Sequence, residues 1–168
     1  MIMERYDKAT IGKAALSAFR ILMGWYCLWS FLDKMFGLGF ETPSGSGYAQ
    51  GGSPSSFVVY VTDGLFSDLF DSLAGNEFID IILLASLLVL GISLILGITS
   101  KLGTFGMVAF LLVMYTLQVP PIDNPIIDDH IIMAAGMIAV YFLGGFDILS
   151  LGPRWKELPF VKRFPILE

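Results

Sequence analysis

IGKAALSAFRILMGWYCLWSFL, residues 11–32, decides the fold. It is an apolar run of membrane length, closed by Asp33 and Lys34. A helix needs about 20 residues, at roughly 1.5 Å rise each, to cross the hydrocarbon layer. Arg20 interrupts the run. A guanidinium at that depth costs at least a few kcal/mol unless it meets a partner or water. The rest of the chain is therefore read for that partner.

Composition points the same way. Of 168 residues, 55% are hydrophobic and 15% charged, where a soluble domain carries about 25% charged residues. The apolar residues fall in long blocks, as in an integral membrane protein of one domain, residues 1–168. The first run has no clear small-residue cleavage site and more spans follow it, so a retained helix is expected, not a cleaved signal. The single cysteine, Cys27, excludes an internal disulfide and any thiolate cluster, and the single histidine, His130, excludes bis-histidine haem from this chain alone. Cys27 reads either as a reactive thiol or as a small packing residue with an inert one.

The expected fold is all-α, a bundle of four transmembrane helices with spans at about 11–34, 78–98, 102–119 and 128–146. Residues 37–77 form the outer loop and are rich in Gly, Ser and Pro up to Ser56. Phe57–Val61 reads as a strand or a re-entrant piece. Leu65, Phe66, Leu69, Phe70 and Leu73 recur at helical spacing, which predicts a short amphipathic helix in the interface plane, stopped at Gly75. Thr99-Ser100-Lys101 is a tight turn, and Pro120-Pro121 ends the third span. Residues 151–168 are a basic, aromatic tail expected to lie on the inner leaflet.

Nine of the ten Lys and Arg residues lie at the amino terminus, in Arg20, at Lys101 or in the tail; Lys34 is the exception. The outer loops hold Glu41, Asp63, Asp68, Asp71, Glu77, Asp123, Asp128 and Asp129. Both termini are therefore expected on the cytoplasmic side of the plasma membrane. The basic residues are those of a positive-inside protein, with no nucleic-acid signal.

Two groups of polar residues are site candidates. Arg20 lies about 21 Å below Lys34 on a helix, and Asp147 about 25 Å below His130. If Lys34 and His130 share the outer rim, Arg20 and Asp147 sit at similar depth. Arg20 then reads as half of an ion pair with Asp147, as a snorkelling cation, or as a site for an anion or a quinone carbonyl. At the outer rim, Asp33, Lys34, Asp128, Asp129 and His130, with Trp25, Tyr26 and Trp29 below them, have the makings of a cup for a small anion or a quinone head group. Against that stands an ordinary membrane edge: a helix cap at Asp128 or Asp129, a lipid-facing lysine and an aromatic belt.

The first span, FRILMGWYCLWSFLDKMFG, and the last, HIIMAAGMIAVYFLGGFDILSLG, resemble DoxX-type membrane proteins. The shared pattern is arginine, glycine, an apolar stretch and a lysine near the outer end, with glycines closing the last helix. Asp147 precedes the serine here, so the family's ending is kept only approximately. The long first loop resembles the DoxD branch, the large subunit of archaeal thiosulfate:quinone oxidoreductase. The resemblance implies oxidation of thiosulfate to tetrathionate at the outer face and reduction of a membrane quinone. By motif it carries over Arg20, Lys34, Asp129 and His130 as catalytic residues; Arg20, Trp25, Trp29, Asp33 and Asp128 are expected around the quinone from the grouping of charges and aromatic rings itself. It also implies a second, small DoxA-like subunit.

No haem, flavin, iron–sulfur or metal signature is present, so the quinone itself is the expected acceptor. The aliphatic second and third spans are expected to line a channel for its tail. Membrane lipid is a further expected partner, and a homo-oligomer is compatible with so few helices. Two other classes compete: a non-catalytic subunit that anchors a redox partner, and a small anion or proton transporter. Quinone copurification marks the enzyme, and substrate movement without quinone marks the transporter.

Overall fold

The computed structural model describes residues 7–62, 64–122 and 124–168. Glu4 and Arg5 of the amino-terminal segment, and the loop acids Asp63 and Asp123, lie outside the described residues. Among those described, all regular structure is helical. In chain order the helices are α1 (Lys8–Phe36), α2 (Val58–Val61), α3 (Ser67–Leu73), α4 (Glu77–Leu96), α5 (Ser100–Thr116), α6 (Asp129–Phe142), α7 (Gly152–Lys156) and α8 (Pro159–Arg163). Helices α1 and α4 are long and apolar enough to cross a membrane; α5 and α6 are shorter apolar helices of 17 and 14 residues.

The four longest helices share one core, drawn from Met23 and Cys27 of α1, Leu87 and Leu94 of α4, Met107 of α5 and Met137 of α6. Helices α1 and α4 cross closely because Gly24 and Gly91 put no side chain of their own between the two backbones. A Cβ on Gly24 would lie 2.8 Å from the backbone nitrogen of Ile95, and one on Gly91 would lie 2.8 Å from that of Leu28. Small residues at a crossing let two backbones approach in this way. An apolar cleft lies between α4 and α5. Cys27 is fully buried, with its Sγ 3.6 Å from Met107 Sδ, so it packs as a core residue.

Several boundaries differ from expectation, for local reasons. Phe57–Val61 is neither strand nor re-entrant: Pro54–Phe57 is a 3-10 turn that runs straight into α2. The amphipathic helix is present as α3, and Gly75, with φ +75°, turns the chain after it. Helix α5 ends at Thr116, three residues before the expected boundary, because Pro120 and Pro121 disfavour helix in the residues ahead of them. Helix α6 ends at Phe142, four residues before the expected 146. Gly144 adopts φ +85°, and the Gly145 amide reaches back to the Val140 carbonyl at 2.8 Å, which closes the helix.

The loop of residues 37–76 is tied down by two buried carboxylates. Asp33, at the end of α1, accepts from the amides of Leu38, Phe40 and Thr42. Asp80, one turn into α4, accepts from Ser53 Oγ at 3.0 Å and from the Ser55 amide at 2.6 Å. A Gly/Ser-rich segment with no hydrophobic period is thereby ordered from both sides.

Candidate functional site

The polar side chains inside the helical core fall into two groups, one at each end of α1. At the loop end, Lys34 is buried; its Nζ lies 2.8 Å from Glu41 Oε2 and 4.9 Å from the centre of the Phe57 ring. Asp33 beside it is occupied by the three loop amides. Across the same end, Asp128 caps α6 by accepting from the Ile131 amide at 3.0 Å. His130 Nδ1 lies 2.7 Å from Asp128 Oδ2 and 3.3 Å from Asp129 Oδ1. The three side chains converge within 4.8 Å. Among the described residues, no hydrogen bond or ion pair joins the Lys34 group to the His130 group. Trp29 stacks edge-on against Phe40 at 5.0 Å and lies 5.9 Å from Trp25, which is half exposed. The residues expected to form one cup thus fall into two separate groups, Lys34 with Glu41 and His130 with Asp128 and Asp129.

At the other end, Arg20 is fully buried. The expected ion pair with Asp147 is not formed. Asp147 pairs instead with Lys13 at 2.5 Å, near the surface. Asp147 lies past the end of α6, where the chain has turned outward, so its carboxylate reaches the start of α1 and not its middle. Arg20 Nη2 donates to the Leu149 carbonyl at 2.6 Å, and the guanidinium carbon lies 5.0 Å from the centre of the Phe146 ring. Among the described residues, its Nε and Nη1 have no acceptor. Ser17, one turn earlier, donates to the carbonyls of Gly145 and Ile148. The segment after α6 is thus folded over α1 by two polar side chains. It also returns to α4, through the Leu151 amide on the Leu96 carbonyl and Ser150 Oγ on the Gly97 carbonyl.

Arg20 and Lys34 belong to one unbroken helix and stand about 21 Å apart along it. A single small head group cannot touch both. What joins the loop end to a ligand-sized space is the cleft between α4 and α5. It measures about 650 Å3 and is walled by residues such as Leu83, Val89, Ala109 and Val113. Phe57, Phe70 and Ser55 close its loop end. The aliphatic side chains of α4 and α5 thus form the walls of this cleft.

Sequence reading passed over Asp80, Lys13 and the carbonyl of Leu149. Asp80 had a signal: a lone carboxylate within an aliphatic run, one turn after Glu77. Leu149 had none, because a backbone carbonyl carries no residue type. Comparison with known proteins adds no relative: no family model, no curated protein and no solved structure matches this chain.

Proposed function

We propose that this chain is a four-span protein of the plasma membrane, with both termini cytoplasmic, that binds a membrane quinone and reduces it as a DoxX/DoxD-type oxidoreductase with thiosulfate as donor. The observation that carries the quinone part is the apolar cleft between α4 and α5, of about 650 Å3. That lies within the roughly 300–1,000 Å3 usual for small-molecule sites. A prenyl tail fits its aliphatic walls. The head group would then sit near Phe57 and Ser55, beside buried Lys34.

The membrane reading is supported by what the helices leave outside. Helix α4 buries Leu87 and Leu94 yet exposes Ile81, Val89 and Ile92, and α6 exposes Ile132 and Phe142. A helix that is apolar all round in a chain of this size needs lipid for its outer face. Among the described residues, Lys34 is the one Lys or Arg at the loop end of the helices; Lys8, Lys13, Lys101, Arg154, Lys156, Lys162 and Arg163 belong to the other end. That asymmetry supports an inner location for the termini.

Two thiosulfate ions release two electrons as they join through a new S–S bond to give tetrathionate. The quinone takes up both electrons and two protons. The reading predicts that the purified protein retains quinone and that thiosulfate reduces decylubiquinone in its presence, alone or with a small partner subunit. Gly106→Leu, which fills the cleft from α5, should remove quinone and turnover together. Absence of both retained quinone and thiosulfate-dependent reduction would sink the proposal.

A second reading, a non-catalytic subunit that anchors a redox partner, is favoured by a specific observation. Lys34 already faces a carboxylate, Glu41, and His130 Nδ1 lies against Asp128. A dianion such as thiosulfate gains little from a lysine so matched, with further carboxylates close by. On this reading the cleft holds lipid or quinone without turnover.

A further inference from the structure

A second cavity lies at the end of the molecule away from the outer loop. It measures about 590 Å3 and opens where α4 turns into α5 and where the chain after α6 folds back. Its walls include Thr99 and Ser100, Ser150, Trp155, Lys156 and Tyr141. Its walls carry far more polar surface than those of the α4–α5 cleft, and three features there favour negative charge.

The first is Arg20. Its Nη1 and Nε are buried and have no acceptor among the described residues. Nη1 lies directly behind the wall formed by Gly97 and Ser150. A Cβ added to Gly97 would overlap Nη1 and come 2.7 Å from Ser150 Oγ. At that point the wall has no side chain, so the field of the guanidinium reaches the cavity with little between. Buried donors left without an acceptor are costly, about 1–3 kcal/mol for an ordinary group and more for a charged one. A negative charge in the cavity offsets part of that cost through the field, without direct contact. The second feature is the start of α5, which has no side-chain cap and where Thr99 and Ser100 line the cavity. Ser100 Oγ itself donates to the Glu168 carbonyl oxygen. The third is Lys156, an exposed ammonium on the cavity wall. The carboxylate of Asp147 also lines the cavity, but it is paired with Lys13. Glu168 is the other acidic residue on the wall.

We propose that this cavity is a binding site for a phosphate-type oxyanion, held between Lys156 and the start of α5, with Arg20 supplying charge from behind Gly97 and Ser150. Phosphate offers several strong acceptor oxygens, which suits a lysine, a helix start and a guanidinium together. The oxyanion is either the head group of an anionic phospholipid or free phosphate. The site does not depend on the quinone reading, since it lies at the opposite end of α1.

The test uses the full chain in mild detergent. Native mass spectrometry follows retention of palmitoyl-oleoyl phosphatidylglycerol against phosphatidylcholine, and calorimetry follows inorganic phosphate. The expected result is one phosphatidylglycerol or one phosphate per chain, weakened about tenfold by Lys156→Ala, the loss of one charge-assisted contact. Arg20→Met should weaken it at least as much. Lys156 is on the surface, so its variant folds whatever Arg20→Met does. Lys162→Ala, in the same basic tail but off the cavity wall, should leave binding unchanged. Retention of the lipid but not phosphate assigns the site to a lipid head group, and the reverse assigns it to the free ion. Equal retention of both lipids, equal effects of Lys156→Ala and Lys162→Ala, or binding of neither probe overturns the proposal.

Discussion

The two ends of α1 treat buried charge in opposite ways. At the loop end each charged side chain has local polar partners: three amides for Asp33, a serine hydroxyl and an amide for Asp80, and Glu41 for Lys34. At the other end Arg20 has one carbonyl and two donors left over. The loop-end charges hold a segment that could not order itself, because residues 37–56 contain little to bury. At the Arg20 end packed helices already order most of the backbone, and Arg20 and Ser17 hold only the segment after α6. The satisfied charges hold the fold, and the unsatisfied one keeps donors free for a further acceptor.

This contrast can be broken by measurement, and the largest effect is expected at Asp33. Asp33→Ala leaves three loop amides without their acceptor, and should cost about 3 kcal/mol or more on the scale of charged hydrogen bonds. Thermal unfolding in detergent should register it. Hydrogen exchange should accelerate at Leu38, Phe40 and Thr42 specifically; unchanged exchange there would remove Asp33 as the organiser of the loop. Asp80→Ala comes next, at about 1–3 kcal/mol, since it frees Ser53 and Ser55. Its signature is protease sensitivity confined to residues near the 3-10 turn at Pro54–Phe57.

Arg20→Met should cost less than either, within about 1 kcal/mol of wild type or even stabilising, because replacing a poorly paired buried charge by an apolar chain of similar volume is often neutral. A larger loss than that of Asp33→Ala would reverse the contrast and make Arg20 a structural keystone. The smallest effect belongs to Lys13→Ala. Its pair with Asp147 is about half exposed, and exposed pairs contribute roughly 0–1 kcal/mol. If that variant melts far below wild type, the surface pair matters more than its exposure allows.

Much of the fold was legible in the sequence. Blocks of apolar residues located the four long helices, the spacing of Leu65, Phe66, Leu69, Phe70 and Leu73 located α3, and Asp128 announced the start of α6. These features are local: period, length and capping are written within a few residues of where they act. The helix ends after Thr116 and Phe142 were legible only to within a turn, since prolines and glycines downstream decide them through backbone geometry.

The partners of the charges were not legible. Opposite charges at matched depth suggested Arg20 with Asp147, but depth along an axis leaves out the direction in which the chain turns after its last helix. Only the tertiary structure decided that Asp147 swings to Lys13 and that a backbone carbonyl, from Leu149, meets Arg20. It likewise decided that α4 and α5 part to leave a cleft while α1 and α4 close at Gly24 and Gly91. Sequence sets which helices can form because hydrogen bonding and burial along a helix are short-ranged. Which side chains then meet depends on contacts between residues more than a hundred positions apart, and no local pattern encodes those.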